Sequence, residues 1–263
     1  MNPTVATLAM LLGLSLAMTG CGQSAGGVDI WDAVARDDAL AIQKFASAGG
    51  DLNVRGSGGS TPLWVALKEK NRYSYEALLK NGADPNVIMS GRRVVTHWAA
   101  SEQDPWWLCL ALEHGADPNL VNVGRGRPSE GTPLQFALSK RSMLIPIDAK
   151  FLDNVKLLVE HGADIDKPWP ASPGESPNGP IVPSYPLAEA ANCNDFEGVL
   201  YLLEAGADYK LAEYGGISFL ARIRDVGEWM EEEEHPIQQL VDRKKFDAVR
   251  AWLQKRGGDV GGK

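Results

Sequence analysis

Gly82-Ala83-Asp84-Pro85-Asn86 recurs 33 residues later as Gly115-Ala116-Asp117-Pro118-Asn119. Looser copies stand at Gly49-Gly50-Asp51, Gly162-Ala163-Asp164, Gly206-Ala207-Asp208 and Gly257-Gly258-Asp259. Successive first glycines lie 33, 33, 47, 44 and 51 residues apart. A fixed interval of this size marks a repeat array, in which each unit buries its apolar face against its neighbours. The longer steps read as the same unit enlarged by 14, 11 and 18 residues.

An apolar stretch of helical spacing precedes each glycine: Ala77-Leu78-Leu79, Leu108-Leu110-Ala111-Leu112, Val155-Leu157-Leu158-Val159 and Val199-Leu200-Leu202-Leu203. Each reads as an amphipathic helix stopped by a glycine in the left-handed conformation that side chains disfavour. A partner helix upstream opens at Thr61-Pro62-Leu63 and Thr132-Pro133-Leu134, and more loosely at Val94-Val95-Thr96-His97 and Tyr185-Pro186-Leu187. Proline in the first helical turn gives up no needed donor and presets φ. Small residues such as Ala66, Ala99, Ala100, Ala137, Ala190 and Ala191 let one helix pair approach the next.

The Thr-Pro-Leu openings, His97, the leucine pairs and Gly-Ala-Asp-Pro-Asn together resemble the ankyrin repeat family over residues 28 to 260. The resemblance implies an all-α ankyrin-repeat solenoid of about six helix-turn-helix repeats, with projecting finger loops and insertions in the C-terminal half. The expected repeats are 28–55, 56–88, 89–121, 122–167, 168–211 and 212–260. The first and last keep the helix pair and lose Thr-Pro-Leu, as terminal repeats with one polar face do. By the same resemblance His97 ties neighbouring turns together.

Residues 1–20 carry no charge, and Val5 to Met18 is an almost unbroken apolar run of 14, too short for a comfortable membrane span. This suits a signal peptide. The run ends in Leu16-Ala17-Met18-Thr19-Gly20-Cys21, which resembles a bacterial lipoprotein leader, although Met18 replaces the usual leucine and no Lys or Arg precedes the run. The resemblance implies lipidation at Cys21, residues 21–27 as a flexible tether, and a lipid anchor on the periplasmic face of the outer membrane.

A formal charge of −8 argues against nucleic-acid binding. Glu228 and Glu231 to Glu234 form an acidic run in the last insertion. Cys109 and Cys193 lie two repeats apart, beyond disulfide reach. The four histidines have no metal-ligand spacing, and no nucleophile elbow or phosphate loop is present. Gly56-Ser57-Gly58-Gly59-Ser60 and Gly124-Arg125-Gly126-Arg127 fall between repeats and read as fingers. The expectation is a non-enzyme without cofactor or metal.

In the family's geometry, partners meet the fingers and the exposed side of the first helices. That maps candidate contacts onto Ser57, Ser60, Lys68, Glu69, Arg92, Arg93, Ser101, Glu102, Ser129, Glu130, Ser139, Lys140, Ile181, Ser184 and Asn192. The Pro-rich fourth finger adds Trp169, and the last insertion adds Trp229 and Glu232. Long loops in compact arrays are often functional, and aromatic anchors dominate interfaces. Trp64 and Trp98 are expected near the first-helix surface.

The function expected is a membrane-anchored periplasmic protein-binding scaffold, monomeric or heterodimeric with its partner. Similarity to ankyrin lipoproteins found beside secreted toxins implies an immunity protein against a type VI-like effector such as a phospholipase. The alternative is an envelope scaffold of the peroxide-defence type that assists its partner.

Overall fold

The left-handed stop expected after each second helix forms in all six copies. In the computed structural model, which describes residues 24–89, 94–121, 131–142, 150–170 and 183–261, Gly49, Gly82, Gly115, Gly162, Gly206 and Gly257 all have φ between 78° and 104°. The same pair of bonds closes each end. The Gly82 N–H donates to Leu79 O (3.0 Å) and the Ala83 N–H to Leu78 O (2.9 Å), and Gly162 and Ala163 repeat this on Val159 and Leu158 at 3.0 and 2.8 Å. This is the Schellman closure, which satisfies the carbonyls a helix end leaves open.

The chain divides after Val95 into two compact units. In the first, strands β1 (Ser24–Ala25) and β2 (Val28–Asp29) form an antiparallel hairpin, followed by helices α1 (Ile30–Ala35), α2 (Ala39–Ser47), α3 (Pro62–Glu69) and α4 (Arg72–Lys80). Side chains cap the helices: Asp29 accepts from the Trp31 and Asp32 N–H groups, Asp38 from Ala41, and Thr61 from Trp64. Such caps are worth about 1 kcal/mol each. Ile30, Val34, Ile42, Phe45, Leu63, Leu67, Tyr75 and Leu78 fill the core between the two helix pairs.

The second unit takes in most of α5 (Val95–Ala100), then α6 (Trp106–Glu113), α7 (Pro133–Ser142) and α8 (Lys150–Glu160). Strands β3 (Trp169–Pro170) and β4 (Pro183–Ser184) pair at the base of the fourth finger, ahead of α9 (Pro186–Asn192) and α10 (Phe196–Glu204). Strands β5 (Glu213–Tyr214) and β6 (Ile217–Ser218) lead into α11 (Phe219–Glu231), α12 (Ile237–Leu240) and α13 (Arg243–Lys255). Successive pairs stack α7 on α9, α9 on α11 and α10 on α13. Phe196 and Phe246 meet edge to face at 4.9 Å across the last junction. Among the described residues the fold is all-α apart from these two-residue strand pairs, and no helix is long and apolar enough to cross a membrane.

The aspartate of each Gly-x-Asp organises the finger that follows. Asp51, Asp84 and Asp117 each accept from the N–H two residues on, at 2.8 Å. The residue so held reaches forward to the next repeat: Asn53 Oδ1 accepts from the Asp84 N–H (2.8 Å), and Asn119 Oδ1 from the Asp164 N–H (2.7 Å).

Four expectations change. Residues 24–27 are not a flexible tether, because they belong to the β1–β2 hairpin. Gly26 and Gly27, at φ 60° and 75°, make the two-residue turn with positive φ that such hairpins favour. Trp64 is buried in the core. Ser184 is also buried, in the β3–β4 pair, with no hydrogen-bond partner for its hydroxyl. Glu228, Trp229 and Glu231, placed in the last insertion between the helices of the sixth repeat, belong to its first helix, since α11 runs unbroken to Glu231.

Candidate functional site

Phe136, Glu189 and Arg222 each stand four residues after the residue that opens a first helix, namely Thr132, Tyr185 and Ser218. This common register places them on the same side of α7, α9 and α11. Trp98 holds the corresponding position on α5 and is 43% exposed. Beside it, His97 is buried. Its Nε2–H donates to Gly131 O at 2.9 Å, and its ring meets Phe136 edge to face at 4.9 Å. Burial lowers the imidazole to about 4, outweighing the Gly131 bond and the Asp117 charge. The ring is therefore neutral and joins α5 to the start of the next repeat, the role the resemblance implied.

Glu189 is 7% exposed, and its Oε2 has no hydrogen-bond partner. The Cys193 thiol donates to Oε1 at 3.8 Å. Burial pushes the carboxyl above its ordinary range, and the thiol contact only partly offsets this. On the next first helix, Arg222 donates through Nη2 to Asn194 Oδ1 (3.2 Å) and Asn192 O (3.5 Å), while its buried Nε is without a partner. No ion pair links Glu189 to Arg222. Neighbouring helices thus hold a carboxylate and a guanidinium that each bury one polar atom without a partner, a cost the fold alone does not offset.

Arg222 also lies over the Trp229 ring at 5.1 Å, and His235 stacks on Trp229 at 5.4 Å with 4° between the planes. Trp229 is therefore held inside a half-buried column within α11 and α12's approach. Glu232 borders a cleft of about 740 Å³ between α11 and α13, lined also by Arg224, Glu228, Arg243 and Arg250.

The other sequence candidates scatter. Ser57, Lys68 and Glu69 are exposed, with Lys68 and Glu69 3.1 Å apart, and Ser60 is half-buried. Ser101 is half-buried and donates from Oγ to Trp98 O (2.8 Å). The Glu102 carbonyl accepts from Asn154 Nδ2 (2.7 Å). Asn192 is exposed and lends its carbonyl to Arg222. Arg92, Arg93, Ser129, Glu130, Ile181 and Cys21 lie outside the described residues, as do the side chains of Ser139, Lys140 and Trp169. Only Asn192 and Trp229 join the Glu189–Arg222 cluster. Glu189 and Arg222, absent from those candidates, are found in the sequence by counting four residues from each helix opening. Cys109 and Cys193 are free thiols, and among the described residues no group of His, Cys, Asp and Glu could hold a metal.

Comparison with known proteins agrees with the fold. An ankyrin repeat family model matches residues 58–89. No curated protein matches the chain. An ankyrin repeat domain from Acinetobacter baumannii AYE is similar at 23% identity, over 84% of this chain and 97% of that one, with a TM-score of 0.58. A second crystallised ankyrin repeat protein is 22% identical over 86% and 96%, with a TM-score of 0.57. The ankyrin repeat domain of Bcl-3, a member of the IkappaB protein family, is 21% identical over 86% and 100%, with a TM-score of 0.55. At these identities the likeness is one of architecture: the chain has the ankyrin-repeat fold.

Proposed function

We propose that the chain is a non-enzymatic, lipid-anchored periplasmic protein that binds another protein along the first helices of its second unit. The observation carrying this reading is the pair formed by Glu189 and Arg222. They stand in one register on stacked helices, with polar atoms that their own fold leaves unused. A buried polar group without a partner costs on the order of 1–3 kcal/mol, and half-buried Arg222 with exposed Asn192 beside it gives a bound protein access to the edge of this pair. Exposed Trp98 and half-buried Phe136 in the same register add apolar contact area. An aromatic anchor beside desolvated polar groups is the composition of an interface hot spot.

In its most concrete form the partner is a secreted antibacterial effector, and the chain is its immunity protein. The leader ending at Cys21 would place it at the membrane where such a toxin acts. The test is co-expression. A candidate antibacterial effector, of the phospholipase type, is directed to the periplasm with and without this chain. Restored growth that depends on Glu189 and Arg222 supports immunity. Unrelieved killing, with recovery of resident envelope proteins by the same chain, transfers the reading to an assisting scaffold.

A further inference from the structure

The first unit exposes two large apolar side chains at one repeat position. Leu40 on α2 and Tyr73 on α4 each stand nine residues before their glycine stop, at Gly49 and Gly82. Their exposures are 78% and 69%. The two helices pack against each other, so the side chains project from the same side of adjacent second helices. Isolated exposed leucines are ordinary, but an aliphatic and an aromatic side chain repeated in register form a patch.

The chain enters the fold on that side. Leu40 and Lys44 are four residues apart on α2 and share a face, which continues to Ala48. The β1–β2 hairpin lies against it: a Cβ placed on Gly26 would stand 3.1 Å from Ala48 Cβ and 3.9 Å from Lys44 Cε. The described residues begin at Ser24, three residues after Cys21. With Cα atoms 3.8 Å apart, that stretch spans at most about 11 Å. An acylated Cys21 would therefore hold the hairpin side of α2 against the bilayer, with no long tether to let the body turn freely.

We propose that Leu40 and Tyr73 rest in the lipid headgroup region and orient the first unit on the membrane. This rests on the reading of Cys21 as the lipid anchor. A tyrosine with an apolar body and a polar tip suits that interface, and Lys44 on the same face suits anionic headgroups. With its second-helix side down, the first unit would turn its Ser57 and Lys68 side away from lipid.

The test uses the full chain, expressed with its leader in a Cys109→Ser, Cys193→Ser background. It is purified from membranes and reconstituted into phosphatidylethanolamine–phosphatidylglycerol vesicles. An environment-sensitive fluorophore is attached in turn at Leu40→Cys, Tyr73→Cys, Ser57→Cys and Lys68→Cys, and circular dichroism checks each fold. Mass spectrometry of the N-terminal peptide reports acylation independently. Blue-shifted emission and quenching by labelled lipid at 40 and 73, but not at 57 and 68, is the expected result. Equal, water-like emission at all four positions on an acylated chain overturns the orientation and leaves the anchor intact. An unacylated N-terminus overturns both. A blue shift at 40 and 73 that persists without vesicles and grows with protein concentration assigns the patch to a second copy of the chain, and also overturns the proposal.

Discussion

Asn119 bonds twice to the glycine stop of the next repeat: its Oδ1 accepts from the Asp164 N–H at 2.7 Å while its Nδ2 donates to the Gly162 carbonyl at 2.8 Å. One amide side chain thus satisfies a donor and an acceptor at the glycine stop of the following repeat. Asn119→Ala removes both bonds and should cost about 1–2 kcal/mol in urea unfolding. Asn119→Asp should recover part of the loss, because a carboxylate can still accept but cannot donate.

Asp166 stands in the position of Asn119 one repeat later and shows that deficit in the native chain. It accepts from the Asp208 N–H at 3.0 Å and has no N–H to offer the Gly206 carbonyl. Burial, and behind it the charges of Asp208 and Asp164, raise its carboxyl, against the opposing Asp208 backbone bond. A raised carboxyl favours the folded state at low pH, and that advantage is lost as pH rises through its folded pKa. Asp166→Asn should therefore stabilise the protein, with a larger gain in melting temperature at pH 7 than at pH 4. A gain independent of pH would assign the effect to the added donor alone.

His97 gives a dependence of opposite sign. Its imidazole takes up a proton near pH 6.5 when unfolded but only at about 4 when folded. Between those values the unfolded state binds more protons, so stability falls as the solution is acidified and levels off below pH 4. The loss attributable to this residue approaches about 3 kcal/mol. Urea titrations across this range should show the fall, and His97→Gln should flatten it.

Glu189 should separate stability from binding. Glu189→Gln removes the cost of a buried charge and keeps the shape, so it should raise the melting temperature at neutral pH. The same change should weaken partner binding, as should Arg222→Ala, by about tenfold or more if the pair is a hot spot. A destabilised Glu189→Gln would show that the carboxylate serves packing within α9.

The repeat frame was legible because its physics is local. A glycine at positive φ, a proline in the first helical turn and leucines at helical spacing each declare themselves within a few residues. The β1–β2 hairpin was not legible, since strands of two residues carry no alternation and Gly26-Gly27 also suits a linker. The end of α11 was not legible, because Glu231 to Glu234 suit a solvated helix and a solvated loop equally. The helix in fact runs to Glu231, and Trp229 is held there between Arg222 and His235. Ser184 was misplaced because its burial depends on the β3–β4 pairing, which joins residues 169–170 to 183–184 across the fourth finger. The Glu189–Arg222 relation spans two repeats and emerges only once the helices are stacked.

The proposed protein partner binds along the first helices of the second unit. The sharpest measurement is calorimetric titration of the mature chain with a candidate secreted effector of the phospholipase type, followed by assay of the effector's activity. A stoichiometric complex that silences the effector is predicted, weakened by Glu189→Gln and Arg222→Ala but unchanged by Glu76→Ala on α4. No binding, or binding that all three variants share equally, would contradict it.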